Sequence, residues 1–93
     1  MDTDKVLKAL NSQLRREILK IISDEPMNVM LVLKELNNKG LKVKYRETIY
    51  RALEKLVDSG LVEKFYNREK GLCYKLKAKT VKIDLTKGEI EIH

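Results

Sequence analysis

The sequence predicts an α+β fold, a helical first half followed by two β-hairpins. Three observations carry that expectation. Ile49, Ala52, Leu53 and Leu56 recur at i, i+3, i+4 and i+7, which draws one apolar stripe along an α-helix. After Gly60 the period changes to two: Leu72, Tyr74 and Leu76 alternate with Cys73, Lys75 and Lys77, and Val81, Ile83 and Leu85 alternate with Lys82 and Asp84. Positive charge gathers where the two patterns meet, with five Lys/Arg against three acids in residues 40–60 and six against two in residues 61–79.

The first helix is expected over Asp2 to Ser23. Asp2, Thr3 and Asp4 supply caps and negative charge at its start, and Val6, Leu7, Leu10, Leu14, Ile18, Ile21 and Ile22 hold the helical spacing. Ala9-Leu10-Asn11-Ser12 is a candidate break, with Ser12 as a new cap and the first turns as a separate arm. Arg15 and Arg16 are either phosphate contacts or part of a solvated face. Pro26 stops the helix, and Asn28 is the cap expected for a second helix from Val29 to Lys39. Its Val29–Leu33 run is apolar on nearly all sides, as in a helix packed between neighbours or one with a face that serves an interface. Gly40 closes it, and Leu41-Lys42-Val43 reads as a short strand or extended turn.

The third helix spans about residues 45–59. Lys44 and Tyr45 stand where a Ser or Thr usually caps, so Glu47 is the expected substitute, and Tyr45 is expected in the core. Leu61–Tyr66 and Leu72–Lys77 are the strands of a hairpin, with a flexible turn at Asn67–Gly71 and positive φ at Gly71. Residues 81–92 form a second hairpin around Thr86-Lys87-Gly88, half apolar and acidic. His93 is expected to fray.

The run Thr48-Ile49-Tyr50-Arg51-Ala52-Leu53-Glu54-Lys55-Leu56, followed by Gly60-Leu61-Val62, resembles the recognition helix and first wing strand of winged helix-turn-helix regulators. The pattern is most similar to the PadR-like family, and the ArsR-like and MarR-like families share its outline. Leu14–Leu19 also resembles the first helix of ArsR-like proteins. The likeness covers about residues 7–76. It implies a winged helix-turn-helix with three helices and a hairpin wing in residues 1–79, and residues 80–93 as a C-terminal β-hairpin extension of the same domain. PadR-like and many ArsR-like proteins carry a C-terminal dimerisation helix where this chain has the hairpin.

Length and composition bound the rest. Ninety-three residues make one small domain, whose limited core favours a homodimer. The net charge is +6 and the pI about 9.5, which suits an anionic partner. No apolar run has signal-peptide or membrane-spanning length, so a cytoplasmic location and no membrane partner are expected. The single cysteine, Cys73, excludes an internal disulfide and is either a structural strand residue or a redox switch. The ArsR-like cysteine pair is missing, and neither a metal site, a cofactor nor a small-molecule effector is indicated. No Ser/His/Asp or Cys/His set, phosphate-binding loop or Cys-x-x-Cys is present, so no enzyme is expected.

The resemblance and the charge together imply a sequence-specific regulator of double-stranded DNA. Its DNA-binding residues are Lys44, Arg46, Glu47, Thr48, Tyr50, Arg51 and Lys55 around the recognition helix, and Lys64, Arg68 and Lys70 in the wing. Arginine forks match guanine edges or grip phosphate, and Glu47 can accept from cytosine. The alternative for the helix is a solvated face on which Glu47 and Arg51 pair at i, i+4. The alternatives for the whole chain are a protein-interaction winged helix and a non-specific nucleoid or RNA-binding protein.

Overall fold

The computed structural model describes residues 2–93. The fold is an α+β winged helix-turn-helix, with four helices where three were expected. Helix α1 (Thr3–Leu10) begins at Asp2, whose carboxylate accepts from the amides of Asp4 and Lys5 at 3.0 and 3.3 Å. The chain breaks at Asn11-Ser12, and α2 (Gln13–Ile22) restarts with Ser12 Oγ accepting from Arg15 N at 3.2 Å. The separated turns are not an arm: Val6 and Ala9 of α1 are buried in the main core. Arg15 Nε and Nη2 donate to the carbonyls of Ala9 and Lys8 at 2.8 and 2.9 Å, and Arg16 Nη1 donates to Leu10 O at 2.6 Å. Both arginines thus bond carbonyls at the end of α1, a use that competes with any phosphate contact.

Met27–Asn28 form a strand, β1, that the sequence reading missed. Asn28 then caps α3 (Val29–Asn38) as expected, its Oδ1 accepting from Leu31 N at 2.9 Å. Of the apolar run, Val32 is fully buried, Val29, Leu31 and Leu33 are half-buried, and Met30 is exposed. Gly40 turns the chain at φ 88°, and Leu41 N donates to Leu36 O at 3.0 Å, closing the helix end. Leu41 to Val43 is irregular, without a strand.

Helix α4 (Arg46–Asp58) buries Ile49, Ala52, Leu53 and Leu56, the stripe read from the sequence. Those side chains meet Ile18 and Ile22 of α2, Val32 and Leu36 of α3, and Val6 of α1 in one core. Ser59 ends the helix from inside it: its Oγ donates to Leu56 O at 2.7 Å and accepts from Leu61 N at 3.3 Å. Strands β2 (Val62–Asn67) and β3 (Gly71–Leu76) form the wing, with β1 on the other side of β3 in an antiparallel order β1-β3-β2. The register runs from Val62 opposite Leu76 to Asn67 opposite Gly71, and Met27 lies opposite Tyr74.

Strands β4 (Val81–Asp84) and β5 (Glu89–Ile92) make a separate two-stranded sheet. Val81, Ile90 and Ile92 pack against the core, whereas Ile83 and Leu85 are exposed. His93 is not frayed. Its amide donates to Thr80 O at 3.0 Å, and its carbonyl accepts from Lys79 and Thr80 at 2.7 and 3.0 Å.

Candidate nucleic-acid interface

The buried stripe of α4 decides which of its residues reach solvent. A helix turns 100° per residue, so Arg51 stands opposite Ile49 and Leu53, with Glu47 beside it. Arg46, Glu47 and Tyr50 line a cleft of about 300 Å³ together with Val29 and Met30 from the first turn of α3. This cleft joins the two helices of the helix-turn-helix on one exposed surface. Arg46, Glu47, Thr48, Tyr50 and Arg51 are all exposed. Among the described residues Glu47 and Arg51 form no salt bridge, so the i, i+4 pairing weighed from the sequence is not made.

Two sequence expectations fail around this surface. Tyr45 is 63% exposed instead of in the core, and Lys44 Nζ lies 5.7 Å from its ring centre. Backbone geometry explains the exposure: Tyr45 is the extended N-cap residue, one step before the helical stripe begins. Glu47 does not reach back to cap α4, which has no side-chain cap, and Tyr45 O accepts from Thr48 N at 3.1 Å. Lys55 projects to a different side, into a cleft with Lys5, Lys8, Arg15 and Asp58 against α1. It is exposed but apart from Arg46 and Tyr50.

The wing is joined to α4 by one carboxylate. Glu54 Oε1 accepts from Lys64 Nζ at 2.8 Å, and Oε2 accepts from the Tyr74 hydroxyl at 2.8 Å. Lys64 is therefore paired to α4 in the free chain. Burial pushes the Tyr74 hydroxyl well above its ordinary 10.0, and the Glu54 carboxylate raises it further. The hydrogen bond from Lys64 holds Glu54 below its ordinary 4.5; burial opposes this and the Tyr74 bond adds to it.

An acid-side prediction follows from Glu54. The unfolded chain takes up this proton near 4.5 and the folded chain only at lower pH, so the latch stabilises the fold above pH 4.5 and is lost as pH falls through the folded value. Glu54→Gln keeps an acceptor for Tyr74 but removes the charge. Its urea midpoint is expected to lie below wild type at neutral pH, with a shallower decline under pH 4.5. Midpoints that track wild type at every pH would show that the latch adds no stability.

The wing tip is ordered by its own side chains. Asn67 Oδ1 accepts from Glu69 N and Lys70 N at 2.8 and 3.1 Å, and Asn28 Nδ2 donates to Lys70 O at 3.0 Å. Gly71 takes φ 77° to close the turn. The tip is thus a turn braced by hydrogen bonds, and it presents Arg68 and Lys70 to solvent. Cys73 is 1% exposed, between Asn28 and Phe65 in the register, which closes its thiol to solvent and fits a structural cysteine. Of the assigned residues the structure sets Arg46, Glu47, Tyr50 and Arg51 on one surface and Arg68 and Lys70 on the wing tip. Met30 and Val29 were missed; an exposed methionine in an apolar run carries no sequence signal of its own.

No family model matches the chain, and no curated protein does. Solved structures are similar. The ferric uptake regulator of Vibrio cholerae matches over 99% of this chain and 76% of its own, with 21% identity and a TM-score of 0.66. A zinc-bound manganese uptake regulator matches over 97% and 73%, with 18% identity and a TM-score of 0.66. The Pseudomonas aeruginosa ferric uptake regulator, with manganese, matches over 100% and 75%, with 22% identity and a TM-score of 0.65. These likenesses support the winged-helix fold, and they do not single out the PadR-like or ArsR-like families. The recognition-helix run that suggested those families belongs to winged helices in general.

Among the described residues no three His, Cys, Asp or Glu side chains converge, and the lone Cys73 is buried in the wing sheet.

Proposed function

We propose that the chain is a sequence-specific transcriptional regulator of double-stranded DNA, a homodimer and not an enzyme. The observation that carries this reading is the surface where the start of α3 meets α4. Arg46, Glu47 and Tyr50 stand there exposed, with Arg51 exposed on the face of α4 opposite its buried stripe and a basic, braced wing tip on the sheet that Glu54 ties to the same helix. The solved neighbours are regulators of this fold. Helix α4 enters the major groove, where Arg46 and Arg51 can fork onto guanine O6 and N7 and Glu47 can accept from cytosine N4. Lys44, Thr48, Arg68 and Lys70 hold phosphates, which sets register without reading sequence. Residues 1–79 form the DNA-binding unit and residues 80–93 extend the same domain. A dimer reads two half-sites about 10 base pairs apart. Occupancy of a promoter then excludes or recruits other proteins. No described helix is long and apolar enough to cross a membrane, and a cytoplasmic location accords with a DNA partner.

Selection of bound sequences from random duplexes tests the reading, followed by salt titration on the selected and a scrambled site. A preferred palindromic sequence supports it. Equal binding to all sequences favours the nucleoid alternative, and no binding at low salt favours protein interaction.

The wing offers an internal comparison. Lys70→Ala is expected to weaken both duplexes alike and to lower the salt slope by about one unit per DNA-bound subunit. Lys64→Ala, whose ammonium is already paired to Glu54, is expected to change the slope less. Equal slope changes for the two variants would mean that the Glu54 pair opens on DNA.

A further inference from the structure

We propose that the outer edge of β4 is a self-recognition surface, on which a second copy of the chain pairs strand to strand across a two-fold axis. The inference rests on the homodimer reading and names its surface. Hydrogen-bond polarity identifies the free edge. Thr80 and His93 exchange both backbone bonds at 3.0 Å. Pairs alternate along an antiparallel ladder, so Lys82 with Glu91 and Asp84 with Glu89 are the bonded pairs inside the hairpin. The amides and carbonyls of Val81 and Ile83 therefore point away from β5, toward solvent.

Charge selects one register on that edge. Directly opposite residues share a face of the sheet, and like charges there are destabilising. A two-fold axis at Lys82 sets lysine against lysine, and one at Asp84 sets aspartate against aspartate. An axis at Ile83 sets Ile83 against its own copy and Lys82 against Asp84 of the second copy, twice. The same register brings Val81 toward Leu85 of the second copy. The apolar face is then apolar throughout, and the ion pairs lie on the other face. The outward groups of Ile83 become the bonded pair at the axis, as the polarity requires. Asp84 Oδ1 is occupied by Thr86 and Lys87, and its Oδ2 is left to meet Lys82.

The other edge does not work in this way. A symmetric register on β5 that uses both Ile90 and Ile92 sets Glu91 against Glu91. Exposure agrees with the β4 assignment: Ile83 is 47% and Leu85 89% exposed. A lone two-stranded sheet is marginal in water, whereas the paired form is a four-stranded sheet in the order β5-β4-β4-β5.

The test uses the full chain. Wild type is expected to sediment as a dimer of the 10.9 kDa chain, and Ile83→Asp as a monomer with an unchanged helical spectrum. Ile83→Cys gives a second readout. Cα atoms of a bonded antiparallel pair lie about 5.5 Å apart, within reach of a disulfide. Mild oxidation should link the Ile83→Cys dimer covalently and leave Glu91→Cys unlinked, and native Cys73, 1% exposed, is out of reach. A dimer that survives Ile83→Asp, or a link through Glu91→Cys instead, overturns the β4 edge while keeping the homodimer. Wild type that is monomeric both free and on selected DNA sinks the homodimer reading itself.

Discussion

Truncating Leu53 to alanine is expected to destabilise the fold by about 2–5 kcal/mol, a large share of the roughly 5–15 kcal/mol that holds a domain of this size. Leu53 is fully buried at the centre of the α4 stripe, flanked by Ile49, Ala52 and Leu56. Removing its isobutyl group costs the transfer free energy of the lost atoms and leaves a cavity. The other three helices pack against α4 here, and they cannot all close in without breaking contacts elsewhere. Thr48→Ala, on the exposed side of the same helix, is expected to stay within about 0.5 kcal/mol of wild type. Urea unfolding of both variants at neutral pH makes the comparison. A Leu53→Ala loss below about 1 kcal/mol would mean that α4 is not the centre of the core.

Much of this fold is legible because its signals are periodic or local. The α4 stripe repeats for two turns, and all four of its members are buried. Asn28 and Ser12 act as caps through amides three residues ahead, a range within reach of sequence reading. What stays hidden depends on contacts between distant residues. Strand β1 is two residues long and shows no periodicity; it exists because Met27 and Asn28 find β3. Glu54 meets Lys64 ten residues away and Tyr74 twenty away. Nothing in the sequence separates that lysine from Lys70, although only one is held back by a carboxylate. Lys55 has the right charge on the right helix, but it faces the cleft against α1 with Lys5, Lys8 and Arg15. Arg15 and Arg16 show the same limit, since their partners are backbone carbonyls.

Arg51→Ala is expected to cost about 1–3 kcal/mol on the selected duplex and much less on a scrambled one. The difference comes from what each kind of DNA offers the guanidinium. On the right sequence its planar fork meets two acceptors of one base, and alanine leaves those acceptors without a partner in a site that has excluded water. On a wrong sequence the same side chain has no matched edge and contributes only its charge, which many other cations also supply. Arg51 is placed for the first role: it projects opposite Ile49 and Leu53, is exposed, and has no salt bridge among the described residues. Its fold stability should match wild type, because it fills no part of the core, and this separates a binding loss from unfolding. Titration of wild type and variant on both duplexes at two salt concentrations gives the four affinities needed. If Arg51→Ala weakens both duplexes equally and lowers the salt slope, the arginine grips phosphate, and reading of the base falls to Arg46 and Tyr50, which share the cleft with Met30. If neither affinity changes, α4 does not lie in the groove, and the exposed cleft between α3 and α4 serves a protein partner.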